Sequence, residues 1–246
     1  MTAHRIVDPE QWQAAREALL VREKAHTRMG DELARQRSEL PWVRVDKEYR
    51  FDTDDGTRTL AELFDDRSQL LVYHFMFGPS YQEGDPVNSS IADTLDALVP
   101  HLQARDVTPV LVSQAPIERL QAYKRRMGWR LAWVSAAPSD FNVDFGASTP
   151  QPRGQAIVPP RTGLPPIVAQ NAAAAGTDVR GYLSQAPMVS AFALQDGAVY
   201  QTYTTTWRGV EFLMGYYTIL DRMPKGRDEG EGWQLWLRRH DEYCNR

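Results

Sequence analysis

The sequence predicts an α/β fold built on a partly parallel sheet, and three observations carry that expectation. Residues 70–77, Leu-Leu-Val-Tyr-His-Phe-Met-Phe, are an almost unbroken apolar run closed by Gly78-Pro79, the pattern of a strand buried on both faces. A second such run, residues 107–113, comes after apolar residues at Ile91, Leu95, Leu98, Val99 and Leu102, which recur at helical spacing. Residues 116–127, opened by Pro116, then read as a second helix leading to a shorter strand over 131–135. Strands that alternate with helices imply parallel neighbours joined by right-handed crossovers.

Ahead of this unit, Asp8-Pro9 is an N-cap followed by the residue that best tolerates the first helical position, and the chain has no further Gly or Pro until Gly30. Trp12, Ala15, Leu19 and Leu20 recur near helical spacing, so the segment reads as an amphipathic helix lying on the rest of the protein and closed by Pro41. The alternation after it, with the turn Asp54-Asp55-Gly56, reads as a short hairpin. Residues 149–175 change character: six prolines and then an alanine run break every period, so this stretch reads as an insertion or lid rather than core. Two runs around Asp196-Gly197 read as a second hairpin, 210–220 as a helix, and 233–243 as a Trp-rich terminal helix. The expected organisation is one domain over 1–246. It has a helical extension over 1–41, a core over 42–148 and 185–220, the insertion over 149–184 and a C-terminal extension over 221–246.

The chain has 246 residues and a formal net charge of −4, which argues against a polyanion such as nucleic acid as partner. No stretch reaches the roughly 18 apolar residues that span a bilayer, and the polar N-terminus does not resemble a signal peptide, so no membrane association and a cytoplasmic location are expected. The single cysteine, Cys244, excludes a disulfide within the chain and agrees with a reducing compartment.

The predicted order is a hairpin, a βαβαβ unit, and then a Pro-initiated hairpin with a helix. It matches a thioredoxin-like fold with additions at both ends. Four strings sharpen the match: residues 71–79, Leu-Val-Tyr-His-Phe-Met-Phe-Gly-Pro; Arg125-Arg126-Met127-Gly128-Trp129; Ser139-Asp140-Phe141-Asn142; and residues 224–229, Pro-Lys-Gly-Arg-Asp-Glu. Together with Glu23-Lys24-Ala25-His26-Thr27-Arg28 and Leu40-Pro41-Trp42-Val43, they resemble the bacterial thioredoxin-like family catalogued as domain of unknown function 899. Members of that family are described as dithiol-disulfide isomerase-like, since a Glu-Gly-Cys-Pro-x-Cys-Ser motif typically follows their Phe-Gly-Pro loop. Here the matching stretch is Glu83-Gly84-Asp85-Pro86-Val87-Asn88-Ser89, and both cysteines are replaced. Thiol exchange needs a thiolate and passes through a mixed disulfide, which neither a carboxylate nor an amide can supply.

The resemblance places this vacated pair where a central strand ends and a helix begins, facing free N–H groups and the positive end of the helix. Asp85 can cap that helix, with Pro86 at its first position, or serve as an acid or base in a small-molecule pocket beside the hydrogen-bonding Asn88 and Ser89. Pro187 falls where thioredoxin-like proteins put a cis-proline opposite the redox loop. His74 and Tyr81 are further catalytic candidates, while Trp207 and Arg208 are binding candidates at the same strand ends. A lone strand histidine also has an ordinary reading as a core residue bonded to a carbonyl. No cofactor is expected; a metal would draw on Glu23, His26, His74 and His240, too few to define a site by spacing. The expected role is binding or transforming a small organic ligand or substrate, in bacterial specialised metabolism. The alternatives are a dimeric interaction protein and a residual one-thiol redox protein acting through Cys244.

Overall fold

The computed structural model describes residues 4–149, 163–230 and 232–243, and the chain forms two compact units, Met1–Trp42 and Val43–Arg246. The first unit is essentially one helix, α1 (Pro9–Ser38), which runs through Gly30 without a break. Asp8 Oδ1 accepts the Gln11 N–H at 2.8 Å and Pro9 opens the first turn. Ion pairs along the surface, Arg16 with Glu23 and Arg35 with both Glu32 and Glu39, support it locally. None of its residues is buried.

The second unit holds one eight-stranded sheet. In chain order its strands and helices are β1 (Val43–Arg44), β2 (Arg50–Thr53), β3 (Gly56–Thr59), β4 (Gln69–His74), α2 (Pro86–Gln103), β5 (Val107–Ser113), α3 (Ile117–Met127), β6 (Ala132–Ser135), α4 (Phe141–Asp144), α5 (Pro166–Ala174), α6 (Val179–Leu183), β7 (Met188–Gln195), β8 (Ala198–Thr206) and α7 (Gly215–Leu220). The strand order is β1-β8-β7-β4-β5-β6-β2-β3. β4, β5 and β6 are parallel, β7 lies antiparallel against β4, and β8 completes a hairpin with β7. A βαβ unit whose first strand is flanked by an antiparallel hairpin is the thioredoxin-like arrangement, and the expected fold class is the observed one. The hairpin near the N-terminus is β2–β3 alone, closed over Asp54-Asp55; β1 instead pairs with β8 at the opposite edge.

Alternation along β4 sorts side chains onto two cores. Leu71, Tyr73 and then Phe75 and Phe77 face the core shared with α2 and α3, which includes Ile91, Leu95, Leu120 and Trp133. Leu70 and Val72 face a second core with Val110, Val112, Phe141 and Phe192. The strand ends at His74, earlier than the apolar run 70–77 suggests. Pairing with β7 stops at Met188, because Pro187 before it has no N–H, and the Met76 N–H is taken by the Asn88 side chain. Residues 75–77 therefore lose the pairing with β7 yet remain buried, and the Phe75 N–H still donates to the Val112 carbonyl at 3.0 Å.

Three expectations about the second half change. The insertion is not merely a lid. Residues 150–162 lie outside the described residues, but Ala172, Ala175 and Tyr182 from α5 and its surroundings belong to the larger core. Small alanines let that helix approach closely, which is why composition alone read as non-core. The helix expected over 210–220 is a 3-10 segment, Trp207–Leu213, followed by α7. The terminal stretch 233–243 is a chain of turns with one 3-10 turn, His240–Glu242, rather than a Trp-rich helix. Glu229 accepts the Tyr217 hydroxyl, the Gln234 N–H and the Trp236 Nε1–H, folding the segment back on itself.

Candidate functional site

The loop between β4 and α2 brings the vacated motif to the point where the sheet runs out. Gly84 sits here because nothing larger fits: a Cβ would lie 2.7 Å from Phe75 Cζ and 2.8 Å from Tyr123 Cε1. Its carbonyl accepts Arg239 Nε at 2.9 Å and the Tyr123 hydroxyl at 3.3 Å.

Asp85 is the N-cap of α2 and is fully buried. Oδ1 accepts the Val87 and Asn88 N–H groups at 2.8 and 3.0 Å, and Oδ2 accepts Asn88 Nδ2 at 2.6 Å. Burial pushes its carboxyl up to about 6, against the pull of those three hydrogen bonds and of the Arg239 charge. The Asn88 amide is equally engaged, since Oδ1 accepts the Tyr73 hydroxyl at 2.6 Å and the Met76 N–H at 3.2 Å. Ser89 donates to the Asp85 carbonyl at 2.7 Å and meets the Tyr123 hydroxyl at 3.0 Å. A polar network thus ties the helix start to the strand end.

Beside this network lies a cavity of about 300 Å³. Asn88 and Pro187 both line it, so it occupies the ground between the vacated motif and the start of β7. Met76, Val87, Ile91, Ile167, Val210 and Met214 make most of its wall, with Trp207 and Trp233, both partly exposed, also lining it. Glu211 is its one charged lining residue among the described residues and is paired to Arg208 at 2.9 Å, with Arg227 3.8 Å away.

The candidate residues fall into two sets. Asn88, Pro187 and Trp207 come together around the cavity. Asp85 and Ser89 lie next to Asn88 but do not line it. Tyr81 is buried and donates to the Tyr182 carbonyl at 2.8 Å, its ring stacked on Tyr182 with centroids 6.0 Å apart. Arg208 is exposed and held by Glu211. His74 points to the opposite core: Nδ1 and Nε2 lie 3.1 Å from Asn142 Oδ1 and 3.0 Å from Ser190 Oγ, and its ring stacks on Phe141. Burial lowers its basicity to about 4, so it is neutral at pH 7. The strand alternation that separates His74 from Tyr73 takes it away from the catalytic position considered for it, and the side-chain amide carbonyl of Asn142 and the Ser190 hydroxyl satisfy the ring.

Glu23 pairs with Arg16, His240 Nδ1 lies 2.7 Å from Asp93 Oδ1, and no group of three or more His, Cys, Asp or Glu is assembled among the described residues. Cys244 lies outside the described residues. No helix among the described residues is long and apolar enough to cross a membrane.

Sequence reasoning missed the far wall of the cavity. Asn171 and Tyr182 line it from α5 and α6, and Gln234 from the C-terminal turns. A single asparagine at the head of an alanine run was a usable signal, because nothing in an alanine-packed helix requires an amide. Gln234 offered none: its burial depends on the way the terminal turns close.

A profile of the family described as "Bacterial protein of unknown function (DUF899)" matches residues 1–243. A search of curated proteins returned no match. Similar solved structures include a cysteine-to-serine mutant of PrxQ from Xylella fastidiosa, 10% identical, with a TM-score of 0.44 over 72% of this chain and 94% of that one. Peroxidoxin BcpB from Mycobacterium tuberculosis is 10% identical, with a TM-score of 0.44 over 72% and 97%. A peroxiredoxin Q mutant from Xanthomonas campestris is 9% identical, with a TM-score of 0.45 over 69% and 90%.

Proposed function

The chain belongs to the bacterial family of unknown function DUF899, and from that premise we propose that it binds a small, mainly apolar organic molecule beside the position its relatives' cysteine motif would take. The observation that carries this reading is the cavity of about 300 Å³ between Asn88 and Pro187, walled largely by aliphatic side chains. Dithiol exchange is outside this chain's chemistry, because it contains one cysteine. A role in bacterial specialised metabolism, in the cytoplasm, is part of the same proposal.

Binding is the core of the reading, and any acid–base step would fall to groups other than His74. Asp85 has both oxygens engaged by α2, so its first effect is to hold Asn88 at the cavity wall. The test is ligand binding with a blocked control. Val210 is buried and lines the cavity, so Val210→Trp should fill it. Small aromatic probes are expected to bind the wild type and to lose at least tenfold in affinity against that variant, measured by calorimetry. Equal binding by both proteins would overturn the reading.

A second reading, an interaction protein, is favoured by α1. It buries none of its residues although Trp12, Leu19, Val21, Met29 and Leu33 are exposed on it.

A further inference from the structure

Among the described residues that line the cavity, one polar group has no partner. Asn171 is 3% exposed, and its Nδ2 donates to the Tyr182 hydroxyl at 3.1 Å, yet its Oδ1 has no hydrogen-bond partner. A buried acceptor left unpaired is destabilising, so in a folded protein it marks either a strain site or a place that a ligand completes. The Tyr182 hydroxyl accepts from Asn171, and its own proton meets no acceptor among the described residues. Both residues line the cavity, so an unused acceptor and an unused donor stand side by side in its wall.

The other polar lining groups are already occupied. Asn88 is committed to Tyr73, Met76 and Asp85, and the Gln234 Nε2–H points to Met214 Sδ at 3.6 Å. Glu211 is compensated by Arg208 and Arg227, and among the described residues no cationic side chain lines the space. A charged ligand would be desolvated there without a counter-charge. A hydroxyl is the group that both donates and accepts, and it remains satisfied whichever way the Asn171 amide is turned. An apolar cavity of about 150 Å³ holds a benzene ring, so twice that volume admits roughly a two-ring molecule.

We propose that the cavity selects a neutral, compact, apolar molecule bearing one hydroxyl, of the phenol or alcohol class, whose O–H donates to Asn171 Oδ1 and whose oxygen accepts from Tyr182. This rests on the reading that the cavity takes a small molecule at all. Three probes of matched shape separate the two claims: 2-naphthol, 2-methylnaphthalene and 2-naphthoate, titrated into wild type and Asn171→Leu and followed by calorimetry. Wild type is expected to bind 2-naphthol about tenfold tighter than 2-methylnaphthalene and to bind 2-naphthoate most weakly. In Asn171→Leu the tenfold preference is expected to vanish while 2-methylnaphthalene still binds. Equal wild-type affinity for 2-naphthol and 2-methylnaphthalene, tightest binding of 2-naphthoate, or a preference that survives in Asn171→Leu overturns the inference and leaves the cavity reading standing. Failure of all three probes to bind overturns the cavity reading and this inference with it. If Asn171→Leu does not fold, the ratio between the first two probes on wild type decides.

Discussion

At the residue scale, Asp85 and His74 are buried ionisable groups whose pH dependences oppose each other. The Asp85 carboxyl is raised to about 6 from an ordinary value of 3.8, so between those values the native state holds more protons than the unfolded chain, and this group makes stability fall as pH rises. His74 is lowered to about 4 from 6.5, so across an overlapping window the unfolded chain holds more protons, and stability from this group falls as pH drops. The two slopes offset each other in the wild type between pH 4 and 6. Asp85→Asn removes one of them, and its stability relative to wild type is expected to improve from pH 4 to 7 by on the order of 3 kcal/mol, read from urea midpoints. A pH-independent difference would show that Asp85 is not desolvated as the structure has it. Gly84 provides a steric test: Gly84→Ala forces a methyl against the Phe75 and Tyr123 rings and is expected to cost about 2–3 kcal/mol in thermal unfolding. A smaller loss would mean the loop shifts freely.

At the element scale, the start of α2 and the insertion helices decide what kind of site exists. The dipeptide Asp85-Pro86 makes a helix start from residues that cannot exchange thiols, and Asn88 one turn on couples that start to the end of β4 through the Met76 N–H. The cap and its couplings close the polar network, which leaves the cavity beside it apolar. α5 forms the opposite wall, and Ala172 on it is 2% exposed within the larger core. If α5 is core, Ala172→Leu overpacks and is expected to lower stability by about 1–3 kcal/mol in denaturant unfolding. A helix that merely covers the site as a lid would absorb the extra volume with no change in midpoint.

At the scale of the whole molecule, the conspicuous element is α1 of the first unit, a long helix with no buried residue. Isolated helices gain little stability in water, and most helical stability in proteins comes from packing an apolar face. Large apolar side chains exposed along α1 are therefore expected to find a partner, and a second copy of the chain is the simplest one. Sedimentation velocity should show a dimer at micromolar concentration that Leu19→Glu with Leu33→Glu converts to monomer. A wild-type monomer across that range would remove the support for the interaction reading.

The strand runs, the alternating helices and the two hairpin turns were legible because they depend on periodicity and on local turn chemistry, which act over a few residues. That the chain has a single cysteine was legible for a similar reason, since it depends only on which residues the sequence contains. The role of Asp85 as a cap was available from Asp-Pro alone. The cavity was not, because its walls come from three segments distant in the sequence, 87–91, 167–171 and 207–214, and no local pattern encodes their meeting. The same holds for His74: alternation assigns it to the far face, but only the tertiary structure supplies Asn142 and Ser190 to satisfy it and Phe141 to cover it. Burial of a polar group is a property of everything packed around it, so the sequence names the atoms that could do chemistry while the assembled fold decides which of them remain unpaired.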